Sequence, residues 1–180
     1  SSMFCQLWKE LRQHSADKLR ISYTHPMDDG QSRTFKVRFE GEGVDDYGGP
    51  YREVFQTICE ELKIPDPCIA SIEAGGVPWC FLPILHPTPN WSAEDCVERY
   101  KYTFLPSSTS TLSLDLFRFL GQLVGIALRS KITIELPLAS FIWKSVVREP
   151  LSNLDIASFD APASRFIEYI GTMYNKINKV

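Results

Sequence analysis

LSLDLFRFLGQLVGIALR, Leu112 to Arg129, is the longest apolar stretch of the chain, and its reading decides the fold. It has the length of a membrane span. Asp115, Arg118 and Gln122 interrupt it, and each charge at the centre of a spanning helix costs on the order of 2.5–3.5 kcal/mol to insert. Asp115 and Arg118 stand three residues apart, where a helix in water can pair them. The remaining apolar positions cover nearly every face, the pattern of a helix enclosed by protein. The stretch is therefore read as the central buried helix of an α+β, helix-rich domain, with no membrane insertion.

On the C-terminal side, Ile132 to Leu136 reads as a brief extended stretch. Pro137 is expected to open a helix carrying Leu138, Phe141, Ile142, Ser145 and Val146. A short turn follows at Leu154, Ile156 and Phe159. The spacing of Phe166, Ile167, Ile170, Met173 and Tyr174 predicts a last helix.

On the N-terminal side, residues 64–111 are rich in proline and read as a long, mostly irregular excursion, with a strand candidate at Trp79 to Leu82. Its aromatics, Trp79, Phe81, Trp91, Tyr100, Tyr102 and Phe104, need burial. Ser107 to Thr111 is a short linker that supplies an N-cap for the central helix. Further back, Val54, Phe55, Ile58, Cys59 and Leu62 predict a helix from Tyr51, opened by Pro50 and stopped by Pro65 and Pro67. Phe35 to Phe39 alternates cleanly and is the best strand by pattern; Leu19 to Tyr23 alternates too and could pair with it. Phe4, Leu7, Trp8 and Leu11 predict an amphipathic helix over residues 3–14.

The 180 residues suit one domain, expected to span 1–180. With 44% hydrophobic and 23% charged residues the chain falls among ordinary globular proteins. Its net charge of −3 offers no electrostatic footprint for nucleic acid. Cys5, Cys59, Cys68, Cys80 and Cys96 form no CxxC pair, so no metal site is expected; reduced thiols in a cytosolic or nuclear protein are the simpler reading, and a cytoplasmic location is expected. The N-terminal residues do not read as a signal peptide, so the glycosylation sequon at Asn90-Trp91-Ser92 is taken as chance.

Glu40 to Pro50 places four glycines, Gly41, Gly43, Gly48 and Gly49, between a strand candidate and a helix, which suggests unusual backbone angles or close approach. The order lacks the offsets of a phosphate-binding loop, and Glu42, Asp45 and Asp46 would repel phosphate. Calcium-loop spacing is missing too. The loop reads as a tight connection whose acids cap backbone N–H groups, with Arg52 and Glu53 in the same buried polar cluster. His14, His25 and His86 lie in separate segments with no nucleophile signature near them. Cys59, on the apolar face of a helix, and Cys80, in a strand candidate, read as inert buried thiols, and Cys68 and Cys96 as loop residues. No catalytic, cofactor-binding or metal-binding residue is assigned, and no cofactor is expected.

Residues 37–55, VRFEGEGVDDYGGPYREVF, resemble the opening motif of the HECT-type ubiquitin ligase domain. The matching positions are Val37, Phe39, Gly41, Glu42, Asp46, Gly48, Gly49, Arg52, Glu53 and Phe55. A second resemblance lies in FRFLGQLVGIA at 117–127, and a third in Pro137 to Lys144. Val44 stands where that family usually has Gly, and Gln122 replaces its usual basic residue. The run Val44-Asp45-Asp46 is similar to the large HERC branch in particular. The resemblance implies the first, larger part of an N-lobe. It places outside this stretch both the subdomain that binds the ubiquitin-conjugating enzyme and the C-lobe, whose Cys carries ubiquitin to substrate lysines. Implied partners of the full domain are the conjugating enzyme and ubiquitin; the substrate protein is unknown. The family often has a non-covalent ubiquitin contact in the segment corresponding to 83–113, where the residues themselves favour an ordinary surface loop with aromatics packed inward. A non-catalytic adaptor using a Pro/aromatic surface is the alternative reading.

Overall fold

The computed structural model describes residues 2–20, 22–24, 30–38, 49–63, 82, 84–91, 93–96, 98–104 and 111–177. The chain divides into two compact units, one of residues 1–84 and 106–136, the other of 85–105 and 137–180. Both are built mainly from helices, with a few short antiparallel strands, so the α+β, helix-rich class read from the sequence stands.

In the first unit α1 spans Met3–Leu11, α2 Gly49–Leu62 and α3 Thr111–Arg129. The start of α1 is held from two sides. The Ser2 hydroxyl accepts the Cys5 N–H at 3.1 Å. The Glu61 carboxylate on α2 accepts the N–H groups of Met3 (2.6 Å) and Phe4 (2.9 Å) and the Ser2 hydroxyl (3.1 Å). A carboxylate at a helix N-terminus satisfies orphan donors and complements the helix dipole. Glu61→Ala is expected to cost about 2 kcal/mol, and Glu61→Gln about half of that. Urea unfolding checks it, with exposed Glu10→Ala as control; equal midpoint shifts for Glu61→Ala and Glu10→Ala would contradict the cap.

The core of this unit comes from one face of each helix: Phe4 and Leu11 of α1, Val54, Phe55 and Ile58 of α2, Phe119, Leu123 and Ile126 of α3. Phe4 meets Phe119 edge-on, with ring centroids 5.2 Å apart. The expectation that α3 is enclosed on every side is corrected: Leu114 and Leu128 are exposed and Asp115, Arg118 and Arg129 face solvent, so its burial is one-sided. Asp115 and Arg118 form no ion pair among the described residues. Both line a surface hollow instead.

The strands are shorter than the alternation suggested. Lys18–Arg20 is a single 3₁₀ turn, and the ladder joins β1 (Tyr23–Thr24) to β2 (Ser32–Arg33) in antiparallel register, Tyr23 opposite Arg33. Phe35 to Arg38 is therefore not a strand, and Phe39 lies outside the described residues. Local packing explains the shift. The Phe35 ring packs on Tyr51 (4.8 Å) and Phe55 (6.2 Å). The Tyr51 hydroxyl accepts the Thr34 N–H at 3.1 Å and bonds the Ser130 hydroxyl at 3.2 Å. The Thr34 N–H, given to a side chain, does not extend the ladder past Arg33. Gly30, at φ +78°, turns the chain between the strands.

In the second unit β3 (Leu85–Pro87) pairs antiparallel with β4 (Tyr102–Phe104), a hairpin the sequence did not announce. Tyr102 also bridges Leu138 in parallel, its N–H on the Pro137 carbonyl (2.8 Å) and its carbonyl receiving the Ala139 N–H (3.0 Å). Pro137 thus sits in an extended segment and does not open the next helix. α4 spans Ser140–Val147, α5 Asn153–Phe159 and α6 Ala161–Ile177. Ala139 offers no capping side chain, and Glu98 supplies the missing acceptor, taking the Ser140 N–H at 2.9 Å. The period of α6 was read correctly, but its apolar residues are not covered: Phe166, Tyr169, Tyr174 and Ile177 each expose more than half of their surface.

Candidate functional site

The glycine-rich stretch at 41–48, with Glu42, Asp45 and Asp46, lies outside the described residues, as do His25, Cys68, Cys80 and the 79–81 part of the Trp79–Leu82 strand candidate. Of that motif's end, Gly49 is visible in the first turn of α2. It has no positive φ, and a Cβ there would meet nothing within 4 Å. The expected strain at Gly49 is therefore corrected to an ordinary helical residue. Arg52 and Glu53 are exposed, so they do not belong to a buried polar cluster.

The described cysteines are Cys5, Cys59 and Cys96, all free thiols. Cys59 is buried on α2, and burial pushes its thiol above the usual range. Cys96 is half-buried; its Sγ donates to the Ser158 carbonyl (3.3 Å) and accepts from Asn90 Nδ2 (3.4 Å). Cys5 sits half-buried on α1. His86 Nδ1 lies 2.8 Å from the Pro87 carbonyl, and His14 lines the hollow beside α3. Among the described residues no group of three or more His, Cys, Asp or Glu side chains is placed to hold a metal ion.

The described part of segment 83–113 is mostly structural. Trp91 and Tyr102 are buried, with rings edge-on at 4.8 Å. Tyr100 departs from the expected burial. It is exposed at φ +59°, with the Arg99 guanidinium 4.6 Å above its ring. The pivot of this unit is Asn90, which is 1% exposed. Its Nδ2 donates to the carbonyls of Ala157 and Ser158, both at 2.8 Å, and its Oδ1 accepts the Ala161 N–H at 2.8 Å. One side chain thus caps the end of α5 and the beginning of α6. Sequence reasoning met Asn90 only as part of a sequon. Buried with its amide engaged, it is closed to modification in the folded chain.

A second polar cluster fastens α4 to α5. Asp155 Oδ1 takes Lys144 Nζ at 2.8 Å, and Oδ2 takes the Ser152 N–H (2.8 Å) and hydroxyl (2.7 Å), closing a capping box. Lys144 first, then Ser152, draws the Asp155 carboxyl down to about 2. A carboxyl whose folded pKa is depressed adds stability above its unfolded value near 3.8 and loses it as pH falls through the folded value. Wild type is therefore expected to lose more stability than Asp155→Asn between about pH 4 and pH 2. Denaturation midpoints across that window check it, and parallel pH curves would contradict it.

The surface of the first unit carries two adjoining hollows along the exposed side of α3. One, of about 270 Å³, is lined by Trp8, Arg12, His14, Asp115 and Phe119 among others; the other, of about 290 Å³, by Leu19, Arg20, Gly121, Gly125 and Arg129. Ala16, Arg118 and Gln122 belong to both. No helix among the described residues is long and apolar enough to cross a membrane.

Residues 84–180 match the HECT-domain (ubiquitin-transferase) family. E3 ubiquitin-protein ligase HERC2 of Mus musculus is 33% identical over 159 residues, which is 88% of this chain and 3% of that protein. HERC2 of Homo sapiens is 32% identical over the same length, again 88% of this chain and 3% of the relative. Probable E3 ubiquitin-protein ligase HECTD4 of Homo sapiens is 28% identical over 151 residues, 84% of this chain and 3% of the relative. The chain thus spans about 3% of the length of these relatives. The match over more than half of the residues, with a helix-rich α+β fold and relatives that include HERC2, makes the chain a member of the HECT-domain (ubiquitin-transferase) family.

Proposed function

We propose that residues 1–180 form the first, larger part of the N-lobe of a HECT-type E3 ubiquitin ligase. In that reading the subdomain for the conjugating enzyme and the catalytic C-lobe lie outside these residues. The whole protein takes ubiquitin from a conjugating-enzyme thioester onto a C-lobe Cys: the thiolate attacks the thioester carbonyl and the conjugating enzyme's thiol leaves. A substrate lysine amine then attacks the new thioester, forming the amide and freeing the Cys. Conjugating enzyme and ubiquitin are the partners of the full domain, and the free thiols among the described residues, Cys5, Cys59 and Cys96, suit work in the reducing cytoplasm.

The observation that carries the reading is the family match over 84–180. The exposed apolar side chains of α6 support the partial-domain part of it, because a finished domain rarely leaves so much contiguous apolar surface in water. The test is incubation with activating enzyme, a panel of conjugating enzymes, ubiquitin and ATP. Residues 1–180 are expected to give no reducer-sensitive ubiquitin adduct, and the same chain carrying the downstream residues of its gene is expected to give one. An adduct on 1–180 itself overturns the lobe assignment. Absence of an adduct on the longer chain favours the adaptor reading.

A further inference from the structure

The groove along α3 is the feature of the described surface that the ligase reading leaves unused. Four arginines line it, Arg12, Arg20, Arg118 and Arg129, against a single carboxylate, Asp115, in a chain whose net charge is −3. Their engagement differs. Arg20 is taken by Asp17 at 3.2 Å, and Arg129 Nη2 donates to the Leu19 carbonyl at 3.0 Å, fastening the 3₁₀ turn to the helix end. The Arg12 guanidinium lies 4.4 Å over the Trp8 ring. Arg118 makes no ion pair or hydrogen bond among the described residues, even though Asp115 is one helical turn away.

The two hollows differ in lining. The first is mixed, with Trp8 among Arg12, His14, Ser15, Asp115 and Gln122. The second is mainly apolar, lined by Ala16, Gly121 and Gly125 with the buried Leu19 and Ile126 behind them. Nothing stands within 4 Å of where a Gly121 Cβ would be. From Asp115 to Arg129 α3 rises roughly 21 Å, the reach of about six or seven extended residues. Guanidinium groups beside a partly apolar trough suit carboxylates alternating with apolar side chains, because planar forks pair carboxylates well and the apolar lining takes the rest.

We propose that the trough between residues 8–20 and α3 is a docking groove for an extended acidic peptide segment of a partner protein, with Arg118 and Arg12 holding its carboxylates and the hollow beside Gly121 and Gly125 taking its apolar side chains.

The test titrates residues 1–180 into a fluorescein-labelled peptide of aspartates and glutamates interspersed with leucines, read by polarisation, with its lysine counterpart in parallel. The acidic peptide is expected to bind and the lysine peptide not, with affinity falling as salt rises. Arg118→Glu should weaken binding about tenfold or more. Gly121→Leu adds a side chain to the trough at a position where a Cβ meets nothing within 4 Å and should weaken binding comparably while leaving the fold intact by circular dichroism. Lys36→Glu, an equal charge change on an exposed residue outside the trough, should leave binding within about twofold. The proposal is overturned by no binding at millimolar protein, by full affinity in Arg118→Glu and Gly121→Leu, or by the same loss in Lys36→Glu. It is also overturned by tighter binding of a single-stranded oligonucleotide of equal charge, or by a dimer of the chain that Gly121→Leu dissociates.

Discussion

Asn90→Ala is expected to destabilise the second unit by about 3–5 kcal/mol. The size follows from what the side chain is bonded to. The carbonyls of Ala157 and Ser158 stand in the last turn of α5, where no intrahelical partner remains for them, and the Ala161 N–H opens α6, where none exists yet. Each polar group left buried and unpaired costs about 1–3 kcal/mol, and water admitted to the cavity offsets part of the sum. Asn90→Asp separates hydrogen bonding from packing. At neutral pH the carboxylate still accepts from Ala161, but it turns an oxygen toward two carbonyls in place of two donors. It should be at least as damaging as alanine, and acidification should recover part of the loss as a protonated carboxyl regains one donor. Chemical denaturation of the three proteins, followed by far-ultraviolet dichroism, is the measurement. A loss below about 1 kcal/mol for Asn90→Ala would show that the α5–α6 junction is held by something else.

Asn90 also marks where sequence reading stops. Periodicity found the longer helices among the described residues because an apolar stripe is a local signal: α2 was expected from Tyr51 and begins at Gly49, α3 was expected from Leu112 and begins at Thr111. The strands escaped it because two- and three-residue ladders are set by partners far along the chain. Tyr102 is held by Leu138, thirty-six positions on, and Phe35 is drawn from its apparent strand by two rings of α2. Pro137 looked like a helix opener because proline suits both a first turn and the extended residues before one. Hydrogen-bond pivots are harder still. Nothing in Asn90-Trp91-Ser92 announces a bond to residue 157, 158 or 161, and nothing around Glu61 announces a cap on α1. The family was legible because short motifs at fixed spacing survive in the sequence. The basic trough was not, because Arg12 and Arg118 are brought together only by the packing of residues 8–20 against α3.

The same contrast decides how α3 is built. Phe119→Ala is expected to cost about 3–5 kcal/mol, the range for deleting a buried ring and leaving a cavity. Phe119 is 2% exposed and meets Phe4 edge-on, so its loss also removes the contact that seats α1 on α3. Leu123→Ala, on the same face, should fall in the range of about 2–5 kcal/mol. Leu128 lies in the same apolar run, but 74% of its surface is exposed, and Leu128→Ala should cost under about 1 kcal/mol. By pattern the three positions looked alike, each apolar in a helix apolar on nearly every side. The structure sorts them by face: Phe119 and Leu123 are buried with the residues of α1 and α2, and Leu128 is exposed. Urea midpoints of the three variants separate the alternatives. A cost for Leu128→Ala equal to that of Phe119→Ala would mean that α3 is enclosed on all sides, and the trough beside Arg118 would then be filled in solution.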